Sequence, residues 1–210
     1  MSGPLLVLGF GMLTIAWFGP LPKLATNSFA AHMLMHMTVV AIAAPLLALG
    51  LAGRRCDPVR FAPKLFSPVP LSVLELVVVW LWHAPTLHHI ARHSSGGLIA
   101  EQGSFIFCGI LIWLSAFGGQ VPRSASRTGA GIVGLLLTSM HMTLLGALLA
   151  LAPRPLYANH SQVMGLTPLE DQHLGGAIML LVGGVSYLAG GLFLTVDLLR
   201  GTRVNRKVNL

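Results

Sequence analysis

Six stretches of this sequence are each apolar over about the 20 residues that a helix needs to cross the hydrocarbon core of a bilayer. They lie near residues 3–19, 28–50, 68–84, 97–117, 128–151 and 169–199. Only 9% of the residues are charged, against roughly 25% in soluble domains. The segments between the stretches are too short for a second folded unit. We therefore predict an all-α, polytopic transmembrane helix bundle of about six spans, forming a single transmembrane domain over residues 1–210.

The net charge of +7 comes from basic residues that lie mainly in alternate loops. The basic clusters follow the second, fourth and sixth stretches, and they consist of Arg54, Arg55, Arg60, Lys64, Arg123, Arg127, Arg200, Arg203, Arg206 and Lys207. Because Lys and Arg mark cytoplasmic loops, this alternation predicts that both termini are cytoplasmic. The charge then reflects membrane orientation and contact with anionic lipid, and it does not indicate a nucleic-acid partner.

Local signals predict where several helices begin and how they pack. Thr167 and Glu170 have the spacing of a capping box, and Ser67 is predicted to cap the third span. The last span carries glycines at seven-residue intervals (Gly176, Gly183 and Gly190), which predicts close helix packing in lipid. Aromatic residues near the predicted outer interface are expected to form a belt, and they are Trp80, Trp82 and Tyr157.

The second stretch carries histidine and methionine where a membrane helix is usually aliphatic. It reads FAAHMLMHMTVVAIAAPLLALG from Phe29 and contains His32, Met35 and His36. Residues three and four apart share a helix face, so these side chains are predicted to point at one object. Imidazole and thioether together form a soft ligand set that suits copper, above all Cu(I). The stretch is therefore a candidate copper site.

Further candidate ligands lie on the same predicted outer half of the membrane. MHM occurs at 35–37 and again at 140–142, which predicts a site shared between spans two and five. Glu101, in the first turns of span four, is predicted to ligate a metal or to orient a ligating histidine. The predicted metal site consists of His32, Met35, His36, His83, Glu101 and His141.

A purely structural interpretation stands beside this one. A histidine in a membrane helix can be satisfied by an interhelical hydrogen bond, and methionine fills gaps in packed cores. Asp171, in the first turn of span six, is predicted to stabilise the dipole of its helix. Glu75, near the middle of span three, has no partner that the sequence identifies, and His160 is predicted to be exposed.

Pro85 is predicted to open a short helix in the loop after span three. That helix would carry His88, His89 and His93, of which His89 and His93 are the pair four residues apart. The sequence leaves the role of these histidines, and that of His173, open.

Four segments, in this order, carry a resemblance to a known family. They are HMLMHMTVVAIAAPLLALG, WLWHAPTLHHIARHS, MHMTLLGALLALAPRPLYANH and GLTPLEDQHLGGAIMLLVGGVSYL. From about Phe29 to span six, the chain resembles the CtaG-type cytochrome c oxidase assembly factors, a polytopic family of bacterial membrane proteins. The chain departs from the family pattern at Gln102, where histidine is common, and at His173, where glutamine is common. The matching polar positions are His32, His36, His83, Glu101, His141 and Asp171.

The resemblance implies a role in building haem-copper oxidases in the bacterial cytoplasmic (inner) membrane. We expect the protein to bind copper, as Cu(I), at a periplasm-facing His/Met site and to assist its delivery from a periplasmic copper donor to an oxidase subunit. No bond-making chemistry is implied, so we expect a protein that is not an enzyme. Two alternatives stay open: a haem-binding membrane cytochrome, since histidines on facing helices can ligate haem, and a metal-free assembly scaffold.

Overall fold

Residues 2–119, 124–157 and 165–208 are described by a computed structural model, and the regular elements within these ranges are helical. In chain order the α-helices are α1 (Ser2–Phe18), α2 (Leu21–Ala25), α3 (Phe29–Met37), α4 (Ala44–Leu51), α5 (Pro68–Trp82), α6 (Pro85–His93), α7 (Ser95–Phe117), α8 (Ala125–Ala150), α9 (Pro168–Ile178) and α10 (Gly184–Val208). Single π-helical turns, Thr38–Ala43 and Met179–Gly183, join α3 to α4 and α9 to α10. The prediction of an all-α helix bundle is confirmed.

Within the described residues, four helical segments are long and apolar enough to cross a bilayer: Phe29–Leu51, Ser95–Phe117, Ala125–Ala150 and Pro168–Arg200. A fifth span is available if α5 and α6, which are bent by 74° at the break between them, form one broken span. Helix α1 is apolar, but its 17 residues reach only about 25 Å at 1.5 Å per residue. The sequence-based number of about six is therefore an approximation to a bundle with four to five candidate spans.

The predicted capping signals are confirmed for the last span and fail for the third. The Thr167 hydroxyl accepts from the Glu170 N–H at 3.3 Å, and the Glu170 carboxylate accepts from the Thr167 N–H at 2.8 Å, which completes the capping box. Helix α5 begins at Pro68 as predicted, but the Ser67 hydroxyl makes no capping hydrogen bond. Helix α6 begins at Pro85, as predicted for the loop after span three.

The π-helical turn of the second span has a local cause in Pro45. Proline has no N–H, so it cannot donate to the carbonyl of Ala41 four residues earlier. The Ser186 hydroxyl, on α10, donates to that carbonyl at 2.7 Å. The widened turn therefore leaves the Ala41 carbonyl without a partner in its own helix, and the Ser186 hydroxyl of α10 supplies one.

The glycines spaced seven residues apart, Gly176, Gly183 and Gly190, lie where helices approach closely. A Cβ atom on Gly176 would stand 2.4 Å from the Ala150 amide nitrogen of α8, and one on Gly190 would stand 2.7 Å from the Trp113 ring of α7. Close packing of this kind drives helix association in lipid, where the hydrophobic effect between helices is absent. The structural interpretation of the glycine stripe is confirmed.

The approach at Gly176 gives a first prediction. Gly176→Ala should destabilise the protein by about 1–3 kcal/mol, because the new methyl group meets backbone atoms that have no freedom to rotate away. Gly129→Ala is the matched control, since a Cβ there meets open space and alanine favours the helix by about 0.5–1 kcal/mol. Thermal unfolding of both variants in detergent provides the measurement. Equal midpoints for Gly176→Ala and wild type would contradict the close α8–α9 packing.

The loop after the second span is held by Asp57, whose side chain is fully buried. One carboxylate oxygen accepts from the N–H groups of Gly53 and Gly119 at 2.8 and 2.7 Å, and the other accepts from the Val59 N–H at 3.0 Å. This carboxylate joins the loop to the end of α7, a role that sequence analysis did not assign.

Candidate metal centre

The start of α3 is fixed by two capping groups, one local and one from another helix. The Ser28 hydroxyl accepts from the Ala31 N–H at 3.1 Å. Asp171, on α9, accepts from the Ser28 hydroxyl at 2.8 Å and from the N–H groups of Phe29 and Ala30 at 2.6 and 3.1 Å. Negative charge is favourable at a helix N-terminus. The predicted dipole role of Asp171 therefore extends to α3, the helix that carries the first two histidines.

Three buried side chains of α3 and α7 lie close together, further along α3 from its capped start. His32 Nε2 and His36 Nε2 each lie 3.3 Å from Glu101 Oε1. The two histidines are 1% exposed and the glutamate is 0% exposed. One ligand atom from each residue lies within 4.8 Å of the others, a spacing that could hold a metal ion. In the part of the chain that the structure describes, no other group of three or more His, Cys, Asp and Glu side chains has such a spacing.

Several buried polar atoms around this group have no hydrogen-bond partner. They include Glu101 Oε2, His83 Nε2 and His36 Nε2, whose contact with Glu101 is not aligned for a hydrogen bond. The His83 Nδ1–H donates to the Val79 carbonyl at 2.6 Å, so the lone pair of neutral His83 is on Nε2. Each unsatisfied buried group costs about 1–3 kcal/mol. A cation bound by His36 and Glu101 would remove the part of that cost that comes from these two residues.

Aromatic rings close the side of the centre that lies next to α6. The His88 ring, 3% exposed, meets the His32 ring edge to face with 4.8 Å between the ring centroids. Tyr157 stacks on Phe29 at 4.7 Å, lies 4.3 Å from the His88 ring, and donates its hydroxyl to the His83 carbonyl at 2.7 Å. Burial raises the pKa of the Tyr157 phenol, so the hydroxyl keeps its proton. Tyr157, predicted as a belt residue, is instead 7% exposed and covers the centre.

On the opposite side, Gln102 connects His36 to α1. The Trp17 indole N–H can only donate, and it donates to Gln102 Oε1 at 3.3 Å. The Gln102 amide nitrogen then lies 2.7 Å from His36 Nδ1 and donates to it. In this arrangement, neutral His36 carries its proton on Nε2, on the side of Glu101.

The structure brings together three of the predicted ligands and places a fourth beside them. His32, His36 and Glu101 form the close group, and the His83 ring centroid lies 6.1 Å from that of His36. Met35 packs away from them, in an apolar cluster formed with α1. The reason is angular, because residues on a helix advance by about 100° each and Met35 falls on the flank of the histidine face that meets α1.

His141 lies on α8, outside the three-residue group. Its side chain is 5% exposed, and neither ring nitrogen has a hydrogen-bond partner. The three-donor group is thus supplied by spans two and four instead of the predicted spans two and five. Metal binding by His141 stays a prediction.

The remaining polar residues of the sequence analysis have separate surroundings. Glu75 is fully buried and accepts from the Tyr187 hydroxyl at 2.5 Å, a partner that the sequence did not identify. The His173 Nε2–H donates to the Ala152 carbonyl at 2.9 Å. His160 lies outside the described residues.

Sequence analysis missed three residues at the centre: His88, Gln102 and Tyr157. Helical spacing offered a signal for His88, because Ala91 lies three residues further on and shares its buried face. Gln102 was noticed as a departure from a family pattern, but nothing in the sequence connected it to His36. Tyr157 comes from the loop after α8, where no periodicity predicts the direction of a side chain.

The fold and this centre define an all-helical, multi-pass membrane protein with a buried His–His–Glu group between two of its spans. Residues 5–201 match the cytochrome c oxidase caa3 assembly factor family (Caa3_CtaG), and the chain belongs to that family. The match confirms the resemblance drawn from the four sequence segments. No curated protein and no solved structure matched the chain. Assembly of cytochrome c oxidase, with an oxidase as the partner, is the role that the family defines.

Proposed function

We propose that the protein binds copper at His32, His36 and Glu101 and assists its delivery to a haem-copper oxidase in the bacterial inner membrane. The centre would face the periplasm, with both termini in the cytoplasm, and the protein would act as a carrier without enzymatic chemistry. The observation that carries this proposal is the buried three-donor group within 4.8 Å. A haem-copper oxidase contains copper. Copper is therefore the metal that an assembly factor with such a three-donor group would carry.

The donor chemistry revises the expected oxidation state. The expectation of Cu(I) depended on a thioether beside the imidazoles, and Met35 packs against α1 instead. Two imidazoles and a carboxylate suit divalent ions, and Cu²⁺ binds such ligands more tightly than Zn²⁺ does. We therefore propose Cu(II) as the form that this group holds best.

A metal-free scaffold is the second candidate, and the Gln102 contact favours it. Coordination through His36 Nε2 requires that nitrogen to lose its proton, while Nδ1 already accepts from the Gln102 amide. Metal binding would therefore require the amide to turn its oxygen towards Nδ1, away from the donating Trp17 N–H. The unpartnered Oε2 atom of Glu101 argues in the other direction, because a scaffold without metal leaves it unsatisfied.

The haem-binding alternative receives no support from the geometry. That alternative places His32 or His36 opposite His141 across a haem. The His32 and His36 rings instead lie against each other, with 4.2 Å between their centroids, and His141 is not in the close group with them. The rings of His83 and His88 are also in contact with these two histidines. A Soret band in the purified protein would reverse this conclusion.

Oxidase composition in cells tests the proposal. A strain that carries Glu101→Ala in place of the wild-type protein should assemble an oxidase with normal haem and little copper. Activity should be low and partly restored by added copper. Glu170→Ala is the matched control, since this exposed acid is distant in sequence from Glu101 and caps its own helix. A fully copper-loaded oxidase, with the variant present at wild-type levels, would favour the scaffold.

A further inference from the structure

Helix α6 carries histidines on two different faces. It is nine residues long and follows α5 after a bend of 74°. One face buries His88 and Ala91 against the metal centre, and the other leaves His89 and His93 exposed. The helix therefore lies between the outside of the protein and the three-donor group.

The inner histidine, His88, has two buried ring nitrogens that could ligate a metal ion. Both of its ring nitrogens are buried and lack hydrogen-bond partners. The ring contacts His32 on one side and Tyr157 on the other. Packing alone would be served better by phenylalanine, which also presents a planar aromatic ring and has no polar atoms to satisfy. His88 is not part of the close group, so it provides a separate binding position beside His32.

The outer pair has the geometry of a bidentate imidazole site. His89 and His93 are four residues apart, so they share a helix face, and their ring centroids are 4.1 Å apart. They occupy the C-terminal half of α6, where the partial negative charge of the helix end favours a cation. Imidazole nitrogens in such a pair suit Cu²⁺ and Zn²⁺.

Helix α6 is also held in place at both ends. The Tyr157 hydroxyl donates to the His83 carbonyl just before the helix, and the Arg92 guanidinium donates to the Thr26 carbonyl near its end. Between them, the His88 ring contacts Phe29 and His32 of α3. The exposed pair and the buried histidine are thereby kept at neighbouring positions on one rigid element.

We propose that α6 is the entry route for copper: His89 and His93 take the ion at the surface, and His88 passes it to His32 in the buried centre. This inference rests on the proposed copper-binding function. The outer pair lies on the exposed face of the same nine-residue helix that buries His88. The His88 and His32 ring centroids are 4.8 Å apart, so an ion held by His88 would have the next imidazole beside it, at a site that is 1% exposed or less. His88 and the outer pair act on the rate of loading, whereas His32, His36 and Glu101 determine the affinity.

Loading kinetics of the full-length protein in detergent test the route. Cu(II) buffered by glycine is mixed with the protein, and the quenching of tryptophan emission is followed in a stopped-flow instrument. His88→Phe preserves the ring stack and removes the nitrogens, and His89→Gln with His93→Gln removes the outer pair. Each change should slow loading by about tenfold and should leave the equilibrium affinity within about threefold of wild type. Ile90→Ala, an exposed neighbour on α6, is the matched control and should load at the wild-type rate.

The results separate this route from the function on which it rests. The route is supported if both variants load more slowly at unchanged affinity. The variant in which His88, His89 and His93 are all replaced should then load no more slowly than the slower of those two variants, because residues on a single path do not act additively. Wild-type loading rates in both variants, or a loss of affinity at an unchanged rate, overturn the route and leave the copper site standing. Absence of copper binding by the wild-type protein overturns both proposals. His88→Ala provides a second variant if His88→Phe does not accumulate.

Discussion

Replacing Glu101 with alanine is expected to reduce the Cu(II) affinity of the purified protein by about 100-fold, or about 3 kcal/mol. Glu101 supplies the negative charge of the three-donor group, and its Oε1 lies 3.3 Å from both histidine Nε2 atoms. Its removal takes away one ligand and also the charge that balances the cation. Equilibrium competition against a Cu(II) chelator of known affinity gives the measurement.

A double-mutant cycle makes this prediction specific to a shared ion. If Glu101 and His36 hold the same copper, the variant with both replaced by alanine should bind little worse than either single variant, because groups that act as a unit are not additive. Additive losses would indicate two independent sites.

Two further substitutions separate the observed group from the ligand set predicted from the sequence. Met35→Leu conserves volume in the α1–α3 cluster and should leave the affinity near that of wild type. If the three-donor group alone holds the copper, His141→Ala should also have a small effect, since His141 is not in that group. A loss at either position as large as that of Glu101→Ala would favour the predicted His/Met site over the three-donor group.

The helical class, the four long spans and the start of the last span were accessible from the sequence for a simple reason. Apolar length, basic loop residues and capping pairs are local signals, and the membrane imposes helices on them. The face shared by His32 and His36 was likewise local, since helix geometry fixes it. The number of spans was less accessible, because α1 and α5 have span-like composition but only 17 and 15 residues.

The composition of the centre depended on which helices touch, and that information is not local. MHM at 140–142 resembled MHM at 35–37, but α8 supplies no donor to the three-residue group. Glu101 was identified because an acid in a membrane helix is costly and needs a purpose. His88 and Tyr157 belong to a bent helix and a loop, whose direction follows from tertiary contacts such as the Tyr157–His83 hydrogen bond. Such contacts have no counterpart in helical periodicity.

Asp171 shows how the fold and the site depend on one carboxylate. It accepts three hydrogen bonds at the start of α3 while belonging to α9, so it holds the helix that carries His32 and His36 against the last span. Its own helix has a separate capping box through Thr167 and Glu170. The two acids are adjacent in sequence and act on different helices.

Asp171→Ala is therefore expected to destabilise the protein by about 4 kcal/mol, because the donors at Ser28, Phe29 and Ala30 lose a charged acceptor while they stay buried. Ser28→Ala removes one hydroxyl, with its hydrogen bonds to Asp171 and to the Ala31 N–H, and should cost about 1 kcal/mol. Thermal unfolding in detergent should therefore give its lowest midpoint for Asp171→Ala. The copper affinity of this variant should also fall, by less than in Glu101→Ala, because the first turn of α3 frays while the ligands themselves are present.

Glu170→Ala is the control that separates the two roles of these acids. If Asp171 served only the dipole of α9, the two alanine variants would unfold at similar temperatures, and the α3 anchor would be wrong.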